Sequence, residues 1–247
     1  MELKPVRTDD QPYRGATYDA SGPEVAVQPD QATQVANRVL RNTYLLLAVS
    51  LIPTAIGAAI GYNLDFSFMR ASPIVSSLAI MAIFYGWIFA IEKNRNSSVG
   101  VGLLLGFTLF LGLLLGPLFQ SVLGLKNGVQ LVMMAAGGTA AAFFGLAAIA
   151  SVAKRDFSGL SKFLMVGFIV IMLAVVVNIF LQMPVIYLAL LGAFILFSSA
   201  VILFQVNQIV RGGETNYISA TLTLYVAIYN IFTSLLQLLG IFGGDRD

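Results

Sequence analysis

Neither cysteine nor histidine occurs anywhere in the 247 residues. Together those absences remove disulfides, thiol nucleophiles, imidazole bases and the usual zinc and haem ligands. A Ser–His–Asp set cannot be assembled without its base, and Ser–His chemistry inside a membrane fails for the same reason. Charge is the next scarcity. Only 11% of residues are charged, against about 25% in a soluble domain. No basic cluster exists, so nucleic-acid binding has no electrostatic footprint. From residue 163 to 210 the only ionisable side chain is Tyr187, and from 215 to 244 only tyrosines are found. Ion-coupled pumps and exchangers keep a carboxylate or a base inside the membrane; here the apolar stretches hold none. The two acids of an aspartyl protease and the buried lysine of a Ser–Lys dyad are missing on the same grounds. The first 30 residues are polar and scattered with acids, so they lack the apolar stretch of a cleavable signal peptide. The sequence therefore predicts a protein that is not an enzyme, with no cofactor and no metal.

What is present is apolar length. The chain is 58% hydrophobic with a mean hydropathy of +0.86, and runs of 18 or more apolar residues mark membrane spans. Seven are predicted, over residues 42–61, 72–91, 100–123, 129–152, 160–181, 184–206 and 214–239. Pro53 is expected to kink the first; the second carries the sole tryptophan, Trp87. The fold class is thus all-α and integral to the membrane. Residues 1–30, rich in proline, glycine, aspartate and serine, read as a disordered tail, and 31–247 as the transmembrane domain, entered through a short amphipathic lead-in at 31–41. Lys and Arg near short loops favour the cytoplasm. Eleven of the 14 basic residues fall on the side of the N-terminus, which predicts a cytoplasmic N-terminus and a periplasmic C-terminus.

Glycines four apart (Gly57 and Gly61, Gly102 and Gly106, Gly112 and Gly116) and the pair Gly137 and Gly138 put small residues on helix faces, where they let backbones approach. The last span is different. Thr223, Asn230 and Gln237 fall on one face, beside Ser219, Val226 and Ser234. Such groups are costly in hydrocarbon unless hydrogen-bonded, so this face should look inward, with Asn178, Gln182, Ser198, Ser199, Gln205 and Gln208 as partners on spans five and six. The expected architecture places span seven at the centre of six others. Two readings of the face stay open: hydrogen bonds between helices, with Asn230 reaching Asn178 or Gln205, or the lining of a water-filled path. Arg211 and Glu214 stand at the mouth of span seven, where the acid is expected to pair at the interface or to cap the helix.

Three stretches carry a family resemblance. "LGLLLGPLFQSV" (111–122), "AAGGTAAAFF" (135–144) and "ILFQVNQIVRGGETNYISATLTLYVAIYNIF" (202–232) resemble, in order, the motifs of the Bax-inhibitor family of transmembrane proteins. More narrowly, "VLRNTYLLL" (39–47), "VNIFLQMP" (177–184) and "GGETNYISAT" (212–221) resemble its YccA branch of bacterial inner-membrane proteins. The resemblance implies a seven-helix bundle with the last helix central, residence in the bacterial inner membrane, and the membrane protease FtsH as a partner. It also brings the family's pH-gated calcium leak, governed by two aspartates. Their positions fall on Gln205 and Ala227, neither of which titrates. A carboxylate pair can share a proton; an amide and a methyl cannot, so that gating does not carry over. What remains is a partner of FtsH, bound through the cytoplasmic tail, with a pH-insensitive cation leak as the alternative.

Overall fold

A peptide group in hydrocarbon has no water to bond, so a chain this apolar crosses the membrane as helices whose backbone bonds are internal. The computed structural model describes residues 29–153, 157 and 159–244, and the predicted tail lies almost wholly outside them. Nine helices follow among the described residues: α1 (Pro29–Tyr62), α2 (Ser67–Ala71), α3 (Pro73–Lys93), α4 (Ser98–Leu114), α5 (Gly116–Leu123), α6 (Gly128–Val152), α7 (Leu160–Leu181), α8 (Pro184–Val210) and α9 (Tyr217–Phe242). Seven spans result, with α4 and α5 together forming the third. The lead-in at 31–41 is not a separate element: α1 runs without interruption from Pro29 and continues through Pro53. The third span is interrupted at Leu115, where Pro117 enters α5 in its first turn. Proline has no N–H for the preceding turn and its ring crowds that turn's carbonyl, which parts one span into two helices.

α9 packs against α1, α3, α4, α5, α6 and α8. It is therefore central, but the ring around it comprises five spans rather than the expected six. α7 makes no approach to α9 and joins the bundle only through α8 and α3. Its side chains agree with that exclusion: Phe163, Met165, Val166, Val170 and Leu173 are all exposed, and Leu164 is its only buried residue.

The closest packing lies between α1 and α4. A Cβ on Gly57 would collide with the Leu109 carbonyl oxygen and stand 2.9 Å from the Leu113 nitrogen. One on Gly112 would collide with the Thr54 carbonyl oxygen. Gly61 and Gly116 meet Leu113 and Gly61 backbone in the same way. Glycine is thus required by backbone-to-backbone contact at this crossing. Gly102 and Gly137, by contrast, have open space where a Cβ would stand, and Gly106 faces only the Trp87 ring. Gly106 thus sits in the contact between α4 and α3, and Gly138 faces Leu235 of α9, whereas Gly102 and Gly137 mark no helix interface.

Candidate functional site

The polar face of α9 is not the one that a seven-residue period selects. Tyr217, Thr221, Tyr225, Tyr229, Thr233 and Gln237 recur every four residues, and this stripe fastens the helix. The Thr221 hydroxyl donates to the Tyr217 carbonyl at 2.6 Å and also reaches the Thr43 carbonyl of α1 at 3.3 Å. The Tyr225 and Thr54 hydroxyls lie 2.6 Å apart. Each hydroxyl also has a carbonyl acceptor, Ser50 for Thr54 at 2.8 Å and Thr108 of α4 for Tyr225 at 3.5 Å, so either can donate within the pair. One turn on, the Tyr229 hydroxyl donates to the Leu111 carbonyl of α4 at 3.1 Å. Toward the far end Thr233 bonds the Tyr229 carbonyl and Gln237 the Thr233 carbonyl, both within α9.

Thr54 and Tyr225 thus form a bond between the first and last spans, 171 residues apart in sequence. A double-mutant cycle with Thr54→Ala and Tyr225→Phe, read by thermal unfolding in detergent, is expected to give a coupling of about 0.6–1.7 kcal/mol, the range of hydrogen bonds between membrane helices. Additive effects would show that the two hydroxyls do not interact.

At its start α9 is tied to the α3–α4 turn. Asn216 is the N-cap, its Oδ1 accepting from the Ile218 and Ser219 amides; such caps satisfy otherwise orphaned donors. The Asn216 Nδ2 donates to the Arg95 carbonyl at 3.0 Å and to the Asn96 Oδ1 at 2.8 Å. Ser219, buried, donates to the Glu92 carboxylate at 3.0 Å, and Glu92 also holds Arg95 at 3.5 Å. Glu214 accepts from the Asn216 amide at 2.7 Å. It does not pair with Arg211; the acid serves the start of the helix instead. Asn207, buried in α8, does a similar task on the other side, accepting from the Phe157 amide and donating to the Ala150 carbonyl.

The residues proposed from sequence are only partly brought together. Asn178 is not among the partners of α9. It lies in the last turn of α7, where its Oδ1 accepts from the Met183 amide at 3.1 Å, and α7 does not reach the central helix. Thr223 and Asn230 are half-buried in α9 and their side chains make no hydrogen bond among the described residues, so Asn230 reaches neither Asn178 nor Gln205. Gln237 spends its amide on its own helix. Gln205 and Ala227 are both buried, at 7% and 3% exposure. Among the described residues the Gln205 Nε2 has no partner, and neither has the Ser198 hydroxyl seven residues earlier on the same face of α8. What sequence reasoning missed was Tyr225, Tyr229, Thr54 and Glu92. The four-residue recurrence in α9 was the signal for the tyrosines; nothing in the local sequence singled out Thr54 or Glu92.

These geometries define a class: a polytopic helical membrane protein whose least apolar span is its core and is tied to neighbouring helices and the α3–α4 turn by hydroxyl and amide hydrogen bonds. The family model described as inhibitor of apoptosis-promoting Bax1 matches residues 36–244, and the chain belongs to the Bax inhibitor family. It is 43% identical over 210 residues to the modulator of FtsH protease YccA of Escherichia coli, covering 85% of this chain and 92% of that one. An uncharacterized protein of Neisseria meningitidis is 44% identical over 211 residues, covering 85% and 93%. One of Campylobacter jejuni is 34% identical over 201 residues, covering 81% and 87%.

Proposed function

We propose that the chain modulates the protease FtsH as a slowly extracted substrate that is seized by its N-terminal tail and occupies the enzyme. The reading rests on similarity to a relative named as a modulator of that protease, and on one observation above all. α1, the helix contiguous with the tail, is clamped to its neighbours through both backbone and side chains. Its backbone is in contact with that of α4 at Gly57 and Gly112, and it is bonded to α9 through Thr54 and Thr43. A machine pulling from the N-terminus meets this clamp first, and resistance to forced unfolding is set by the unfolding rate. The excess of basic residues on the N-terminal side supports a cytoplasmic tail, where an ATP-driven unfoldase has access. The sequence has no histidine or cysteine and, tyrosines aside, no acid or base at residues 163–210 and 215–244, which supports a regulator acting without catalysis.

Removing residues 2–28 leaves α1 whole. Beside active FtsH that deletion is expected to lengthen the protein's lifetime several-fold, with no change beside inactive FtsH, as followed by pulse-chase. An unchanged lifetime overturns the role of the tail.

A second reading, a passive cation leak, has one observation in its favour: the unpartnered Gln205 Nε2 and Ser198 hydroxyl along a single face of α8. Calcium-loaded vesicles bearing the purified chain test it; retention of calcium at the rate of empty vesicles excludes it.

A further inference from the structure

The enclosure of α9 has one open side. α1 and α6 both pack on α9, yet their backbones nowhere approach each other; their side chains meet where Tyr44 and Phe143 stand edge to face with ring centroids 5.9 Å apart. Beyond that pair lies a half-open cleft of about 860 Å³. Its floor is the central helix itself at Tyr225, Ile228 and Tyr229, and its walls include Ala55 and Ala59 of α1 and Ala136 and Ala140 of α6. Alanine on both walls leaves the space that larger side chains would fill. We infer that this cleft is a binding site for an acyl chain of membrane phospholipid, which lies directly against α9.

Chemistry and size select that occupant. No charged residue lines the cleft. Tyr44 and Tyr62 stand at its two ends, and between them the hydroxyls are spent internally: Thr54 and Tyr225 on each other and on the Ser50 and Thr108 carbonyls, Tyr229 on Leu111 and Thr139 on Ala135. Between those ends a polar ligand would find no hydroxyl proton that is not already given to another group. From Tyr44 to Tyr62 the α1 wall rises about 27 Å at 1.5 Å per residue, close to the ~30 Å of a hydrocarbon core. The cleft therefore follows the direction in which acyl chains already lie. The cleft is half-open, and in a bilayer its open side meets lipid tails, whose slender, wholly apolar chains suit walls of alanine and a lining without charge. Left unfilled, the lining would forfeit its dispersion contacts on one side.

The test uses the full chain in bilayers containing a phospholipid with a photoreactive diazirine midway along one acyl chain, with crosslinks mapped by peptide. In the wild type, labelling is expected on α9 at residues 225–232, and on α7, whose exposed Phe168 and Val170 report ordinary contact with lipid. Filling the cleft with Ala55→Phe and Ala140→Phe is expected to cut the α9 label at least fivefold and leave the α7 label unchanged, which also shows that the variant is folded. An unlabelled α9 in the wild type, with or without a protein crosslink from a partner or second copy on these walls, overturns the proposal. So does an α9 label that the two phenylalanines do not reduce.

Discussion

Gly112→Leu is expected to be the most damaging single substitution in the protein, and Gly57→Leu its near equal. At both positions a Cβ would run into the backbone of the facing helix. Overpacked side chains usually cost about 1–3 kcal/mol because neighbours can yield; here the neighbour is main chain, and α1 and α4 must separate along their whole crossing. Close backbone approach is also what holds membrane helices together where lipid gives no hydrophobic drive. A loss of more than about 3 kcal/mol is expected, seen as a lower thermal midpoint in detergent and, on the proposed function, as faster removal by FtsH. Gly102→Ala and Gly137→Ala, which meet open space, should stay within about 0.5 kcal/mol of the wild type or gain slightly from alanine's helix propensity. Equal midpoints for Gly112→Leu and these controls would refute the crossing.

The second large effect has the opposite sign. Gln205→Met is expected to stabilise the protein by about 1–3 kcal/mol, the cost of a buried donor left without a partner. Methionine keeps the length and flexibility of glutamine and removes the amide whose Nε2 is unbonded. Gln237→Met is the matched control, since that amide does have a partner in the Thr233 carbonyl, and it should be neutral or mildly destabilising. Denaturant or thermal unfolding in detergent reads both. Were Gln205→Met destabilising, the amide would be hydrated in the folded state and the conduit reading would gain. A stabilised variant marks residue 205 as a plain packing fault.

The spans were legible because the thickness of hydrocarbon sets their length and the loops are too short to hide one. Their mutual arrangement was only partly legible, and the reason is physical. Lipid is as apolar as a leucine core, so hydropathy alone does not distinguish a span facing the bilayer from one facing its neighbours. The two extremes nonetheless follow polarity: α7, with mean hydropathy 3.0, is the outermost span, and α9, at 1.7, is the core, although α8, at 2.5, packs against α9 more extensively than any other span. That contrast was present in the sequence, and it argued against placing Asn178 beside the central helix. The face of α9 was misread for a narrower reason. Thr223, Asn230 and Gln237 are conspicuous amides and hydroxyls, whereas tyrosine reads as apolar until its hydroxyl is placed. Only the structure shows Tyr225 and Tyr229 reaching across to Thr54 and the Leu111 carbonyl. Likewise nothing local tells Gly57 and Gly112, locked against main chain, from Gly102 and Gly137, facing open space.

Competition for the protease is the most direct measurement. FtsH reconstituted with a second membrane substrate should degrade that substrate more slowly when the full chain is added, and at its unhindered rate when the added chain lacks residues 2–28. Equal slowing by both forms, or by neither, would contradict an occupied protease held through the tail.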